Sequence, residues 1–298
     1  MFSFEEKIID ATVKKLLNGE DYRQEVINDI NVKFLDFTLE FFKKIVDAKL
    51  NDEKINLDWY KKYFLSDKNF EKGDIAIYSG INLKTIHNIS GTTTKEIVID
   101  IAKQNYDYLK NLIQQLEIDG ESELNIQIKI TKNGVSVDLN LSESLLVLNA
   151  LATKKIALRG GAWSAIGKRV EKPLLIKLCE LCGVDKKFYN AENFVRDNTK
   201  KFDREVDFKL YDKNLKEYRC EVKLMGGGNP ESADAVIARN SKIFVADTLS
   251  KQNKNQLNEL KIFWIELKNH SAENIVSQFK KILRELDIPF AKGSDANE

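Results

Sequence analysis

The residues from Phe202 to Leu224 constrain this chain more than any other stretch. Phe-Asp-Arg-Glu-Val-Asp-Phe-Lys-Leu-Tyr runs into a short polar link, and Tyr-Arg-Cys-Glu-Val-Lys-Leu follows. Both arms alternate polar and apolar residues, the period of a strand. Asp212-Lys213-Asn214 between them is turn-forming, so the stretch reads as a hairpin. On the first arm Glu205, Asp207 and Lys209 share a face. On the second Glu221 and Lys223 share a face, and Val222 and Leu224 take the other. Adjacent strands with this pattern bring Asp207, Glu221 and Lys223 to one edge of a sheet. Two carboxylates and an ammonium there suit a hard divalent cation and a phosphate beside it. Asp203 is a rival to Asp207, at the beginning of its strand.

Composition narrows the chemistry. The 298 residues contain two histidines, His87 and His270, and three cysteines. A His-based zinc site, a Ser-His triad and a disulfide framework are therefore disfavoured, which leaves carboxylate, lysine and metal. Cys179 and Cys182 form a C-x-x-C, but on an amphipathic helix that ends at Gly183, where plain core packing is the expectation. The net charge of +1 favours no partner, so any nucleic-acid contact must rest on local basic clusters. No apolar run approaches the ~20 residues that span a bilayer. Nor does a basic stretch followed by an apolar core stand at the N-terminus. Cytoplasmic localisation and no membrane partner are the expectation.

The flanking text is equally specific. Arg159-Gly160-Gly161-Ala162-Trp163-Ser164 precedes Gly167 and Glu171-Lys172, and Gly226-Gly227-Gly228-Asn229-Pro230 follows Lys223. With Asp207 and Glu221-Val222-Lys223, the whole resembles type II restriction endonucleases of the PD-(D/E)XK superfamily, in particular the CfrBI-like group. Val206 stands where that superfamily usually has a proline. The resemblance implies an α/β fold: a helical N-terminal part, then a nuclease core with a mixed central sheet flanked by helices. It implies a sequence-specific endonuclease that hydrolyses double-stranded DNA with Mg2+, Asp207, Glu221 and Lys223 being catalytic. By the same resemblance Asp207, Glu221, the Val222 carbonyl and Glu171 are the metal ligands, Glu171 lying on the first core helix. A homodimer is expected for a symmetric site, and a cognate methyltransferase is a further expected partner. The alternatives are a structure-specific repair or recombination nuclease, and a helix-turn-helix regulator with an inactive nuclease fold.

Residues 1–120 read as mainly helical, and 121–298 as the nuclease domain with its catalytic core over about 165–286. Helical spacing runs from Phe2 to about Leu50, broken at Gly19-Glu20-Asp21, and a short helix is expected over Asn56–Ser66. Residues 74–90 resemble a helix-turn-helix, with Ala76 four before Gly80. Ile86 and Ile89 would face the first helix, leaving Lys84, Thr85, His87 and Asn88 free to reach DNA; a structural helical hairpin is the competing reading. A long helix follows from Thr94 to Leu116. Leu124–Ile130, Asn133-Gly134 and Val135–Leu139 form a hairpin that either caps the helical part or extends the nuclease sheet. Ser142 would cap a helix from Glu143 to about Ile156. The glycine stretch that follows reads as a turn whose Arg159, Lys168, Arg169 and Lys172 contact the DNA backbone, against an ordinary solvated turn. A helix then ends at Cys182. Asn229 and its glycines are a second candidate for close approach to DNA. Beyond a short helix over Glu231–Arg239, strands at Lys242–Ala246 and Lys261–Ile265 alternate with helices, the last over Ser271–Leu286. The tail from Lys292 is expected to be disordered.

Overall fold

The computed structural model of the chain describes residues 4–51, 56–66, 69–118, 126–192, 208–224, 236 and 239–291. It is a mixed α/β protein that divides into two units, Ile30–Gly160 and Met1–Asp29 with Gly161–Glu298. After α1 (Phe4–Leu17), the two boundaries fall inside helices, α2 (Arg23–Leu50) and α7 (Leu141–Cys182).

The first unit is built on aromatic packing. Besides its parts of α2 and α7 it contains α3 (Leu57–Tyr60) with a π-helical turn at Lys61–Leu65, α4 (Lys72–Tyr78), α5 (Leu83–Ser90) and α6 (Lys95–Ile118). Phe41, Tyr60, Phe64, Tyr78 and Tyr106 are all fully buried in one cluster. Phe41 stacks on Tyr78 at 4.8 Å and meets Phe64 edge-on at 5.3 Å, arrangements that add to area burial. Burial pushes the phenols of Tyr60, Tyr78 and Tyr106 above their usual range.

The hairpin β1 (Ile128–Lys132) and β2 (Val135–Leu139) makes a two-stranded sheet of its own. It belongs to this helical unit and not to the second sheet, because Val137 and Leu139 bury into the aromatic cluster. The chain therefore does not divide near residue 120. One buried ion pair seals the arrangement: Lys49 Nζ lies 2.9 Å from Glu143 Oε2 and donates to the Asp138 carbonyl at 3.0 Å.

Helix α7 is continuous over 42 residues, with Pro173 inside it. The turn expected at Gly160-Gly161 is helical, so the two separate helices on either side of it are one. Its start is capped by Asn140, not Ser142. The Asn140 side chain accepts from the Glu143 N–H at 2.9 Å and Glu143 Oε2 accepts from the Asn140 N–H at 2.9 Å, a reciprocal box. Its end closes through Gly183, at φ +68, with Gly183 N–H to Glu180 O at 3.0 Å and Val184 N–H to Cys179 O at 2.9 Å. Cys179 and Cys182 are buried in the last turns, as packing residues; burial pushes the Cys182 thiol up to about 11.

The second unit is organised by a five-stranded sheet in the order β3-β4-β5-β6-β7. These are Tyr189–Asn190, Phe208–Tyr211, Glu217–Lys223, Ile243–Ala246 and Phe263–Glu266. β3, β4 and β5 pair antiparallel; β5, β6 and β7 pair parallel. Helices α8 (Lys251–Glu259) and α9 (Ala272–Glu285) pack against β7. All four β6 residues are buried, as expected of a central parallel strand covered on both faces.

Candidate active site

The β4–β5 hairpin forms as its alternation requires. Asp212 closes it, accepting from the N–H groups of Asn214 at 2.7 Å and Lys216 at 3.0 Å, with Leu215 at φ +63. Register pairs Phe208 with Cys220, Lys209 with Arg219 and Tyr211 with Glu217. Paired residues share a face, so Phe208, Leu210, Cys220 and Val222 turn to the apolar side and are buried. Lys209, Glu217, Arg219, Glu221 and Lys223 turn to the other.

That second face is a lane of alternating charge. Lys209 Nζ reaches Glu217 Oε2 at 2.8 Å, and Arg219 Nε reaches Glu217 Oε1 at 3.1 Å. Burial works to raise the Glu217 carboxyl, but hydrogen bonds from Lys209 and Arg219 and their charges overcome it and hold it below the usual range. Further along, Glu221 is 0% exposed, with Arg239 Nη1 at 2.5 Å and Lys223 Nζ at 3.4 Å from the same oxygen, Oε1. Both cations are partly open to solvent, the Lys223 side chain at 31% and that of Arg239 at 29%. Arg219 Nη1 donates to the Arg239 carbonyl at 3.5 Å, tying the two halves of the lane. A buried carboxylate is tolerated only when paired in this way.

Glu221 and Lys223 thus come together as their spacing requires. Arg239 was missed in the sequence, where it read only as the end of a short helix. Its sequence separation from Glu221 gives no periodic signal, and only the return of the chain before β6 brings it there. Asp207 lies outside the described residues, as do Asp203, Asn229 and the three glycines before it. Phe208 pairs with Cys220, so Asp207 and Glu221 are each a chain neighbour of one paired position. Val222 is fully buried. Glu171 is half-buried on α7. One turn before it, a Cβ on Gly167 would lie 4.0 Å from Leu224, the residue after Lys223. Residues four apart share a helix face, so α7 presents Glu171 on the side that passes the end of β5.

The basic residues of α7 separate into two kinds. Arg169 binds Asp29 at 3.2 Å and Glu5 at 3.1 Å, and Lys172 donates to the Glu192 carbonyl at 3.1 Å. These two fasten helices and backbone together. Arg159 and Lys168 are exposed, with no hydrogen bond or ion pair among the described residues.

In the helical unit, α4 and α5 form the expected pair about Gly80, at φ +83, where a Cβ would collide with the Asn149 amide. Ile86 is fully buried against Ala76 and Val98. Ile89 does not face the first helix; it is 66% exposed, lying about 60° around the helix from the buried Ile86 and about 40° from the exposed Thr85, at the rim of the exposed face. Lys84, Thr85, His87 and Asn88 are exposed as expected.

The face of the mixed sheet thus carries a buried carboxylate flanked by two partly exposed cations. The family model for the CfrBI restriction endonuclease matches residues 6–254, and the chain belongs to that family. Its class is that of the restriction endonucleases, nucleases that act on DNA. Comparison with curated proteins and with solved structures returned no match. Among the described residues no helix is long and apolar enough to cross a membrane, and no group of three or more His, Cys, Asp or Glu side chains is placed to hold a metal ion.

Proposed function

We propose that this chain is a type II restriction enzyme that hydrolyses phosphodiester bonds in double-stranded DNA at a specific sequence, using Mg2+ and a PD-(D/E)XK site of Asp207, Glu221 and Lys223. The observation that carries the reading is the Glu221 carboxylate, sealed from water yet served by two cations whose side chains remain open. A structural ion pair would gain nothing from that openness; an approaching phosphate would.

The donor set fits a magnesium ion in kind. Mg2+ is usually held by one or two carboxylates, with water and substrate phosphate completing its shell. Glu221, the Val222 carbonyl and Glu171 are the proposed hard oxygen donors among the described residues, and Asp207 is the proposed fourth. A bound Mg2+ would supply charge relief on the phosphoryl oxygens and lower the pKa of coordinated water. The chain's own groups do the rest. Lys223 orients the attacking water and neutralises charge growing on the phosphate. Arg239 pairs with the Glu221 carboxylate, and its partly exposed side chain would also meet a phosphate oxygen brought to this face. Asn229 and the exposed Arg159 and Lys168 are proposed backbone contacts. A two-fold homodimer would match a symmetric site, and a methyltransferase would protect the same sequence from cleavage.

Digestion of phage DNA in Mg2+, followed by mapping of the ends, tests this directly. Discrete fragments are expected, and none in EDTA. Glu221→Gln, Lys223→Ala and Asp207→Asn should each slow cleavage by about 100-fold or more while DNA binding persists. Undiminished cleavage by one variant removes that residue from the site, and cutting in EDTA removes the metal.

A further inference from the structure

We propose that the outward face of α5 reads base edges in the major groove of duplex DNA; the inference rests on the reading that the chain recognises a specific sequence. The helix is held from behind and bare in front. Ile86 is fully buried, and Leu83, Ile81 and Ile101 pack around it against Ala76 and Val98. Asn82 fixes the first turn, its Oδ1 accepting from the Thr85 N–H at 3.0 Å, and Gly91, at φ +71, ends the last. The helix is therefore rigidly mounted, which a reading head needs if its side chains are to meet base edges in one register.

Helical spacing arranges the exposed residues in two ridges. Lys84 and Asn88 lie one turn apart on one, Thr85 and Ile89 on the next, with His87 at the flank. All five are exposed. No hydrogen bond or ion pair among the described residues engages the side chains of Lys84, His87 or Asn88. No acidic residue occurs anywhere in α5.

These residue types match one occupant. Asn pairs with adenine through two hydrogen bonds, and Thr and His serve base-edge acceptors and donors. An exposed isoleucine packs against a thymine methyl, and lysine grips the neighbouring phosphate. Lys72, at the start of α4, is exposed but donates to the Thr93 carbonyl at 2.8 Å, so Lys84 is the cation this face presents. The chain as a whole has a net charge of only +1, so attraction to DNA has to be concentrated in such places. A helix of eight residues joined by a tight glycine turn to the one before it is the size of element that enters the major groove.

The test is a selection of duplexes from a random pool by the full-length chain, in Ca2+, so that the preferred site is defined without relying on cleavage. Binding to the selected duplex and to a scrambled one is then compared for Thr85→Ala/His87→Ala/Asn88→Ala and for Lys84→Ala. The triple variant should lose roughly tenfold or more of the preference for the selected duplex. Lys84→Ala should weaken both duplexes alike and lower the salt slope by about one. All four positions are exposed, so thermal unfolding of both variants should match that of the parent chain. A triple variant that keeps the full preference overturns the proposal, as does a pool from which the parent enriches no sequence. Failure of the parent to cut the selected duplex in Mg2+, with the preference and its loss as expected, would sink the endonuclease reading and leave this one standing.

Discussion

Each unit of the molecule buries a glutamate beside a lysine, and the two pairs differ in how far the cation is open to solvent. In the helical unit Lys49 and Glu143 are both closed to solvent, at 2% and 4% side-chain exposure. Lys49 also bonds the Asp138 carbonyl, and Glu143 caps its own helix. Those bonds lock the start of α7 to α2 and β2. In the sheet unit Glu221 is just as buried, yet Lys223 and Arg239 stand with 31% and 29% of their side chains exposed. The same pairing chemistry closes both partners off from solvent in one place and leaves two cations partly open beside the acid in the other. Burial of the acid is common to both; access to the cation distinguishes them.

The largest effect that can break this contrast is on stability. Glu143→Ala strands a buried ammonium and removes a cap, and should cost about 3–5 kcal/mol in denaturant unfolding. Glu221→Gln, whose partners can turn to water, should cost much less. Equal losses would mean that both pairs are structural. A smaller effect concerns Gly160 and Gly161, which lie inside α7 where a Cβ would meet nothing within 4 Å. Gly160→Ala or Gly161→Ala should stabilise the chain by about 1 kcal/mol each through helix propensity. Reduced cleavage in a stabilised variant would show that these glycines serve close approach of DNA and not the fold.

The smallest effect is a pH dependence from the charged lane. The folded Glu217 carboxyl sits below its ordinary value of 4.5. Its ion pairs therefore add stability above about that pH, and the contribution disappears as pH falls through the lowered folded value. Glu217→Gln should flatten that acid limb of the unfolding curve, and an unchanged limb would show that the Lys209 and Arg219 contacts are too exposed to matter.

Local pattern alone placed Glu221, Lys223 and Lys209 on one face of a hairpin, because side chains in a strand alternate whatever surrounds them. The α4–α5 pair was legible for a similar reason: one glycine and the spacing of Ile86 from Ala76 dictate how two short helices meet. The Gly160-Gly161 stretch misled because helix propensity is weak. Packing of Ile166, Val170, Leu174 and Leu178 on one side, all buried, outweighs about 1 kcal/mol per glycine and carries α7 straight through. The β1–β2 hairpin was plain as a hairpin, but its allegiance to the helical unit depends on which core receives Val137 and Leu139.

What the sequence by itself determined is therefore short-range: the strands, their facing residues and the turn at Asp212. What only the tertiary structure decided is long-range: Arg239 on the Glu221 carboxylate, Arg169 spent on Glu5 and Asp29, and which unit each element joins. The physical reason is the same in each case. Backbone geometry and side-chain alternation act over a few residues and are written in order along the chain. Charge pairing and burial act through space between segments whose order says nothing of their distance.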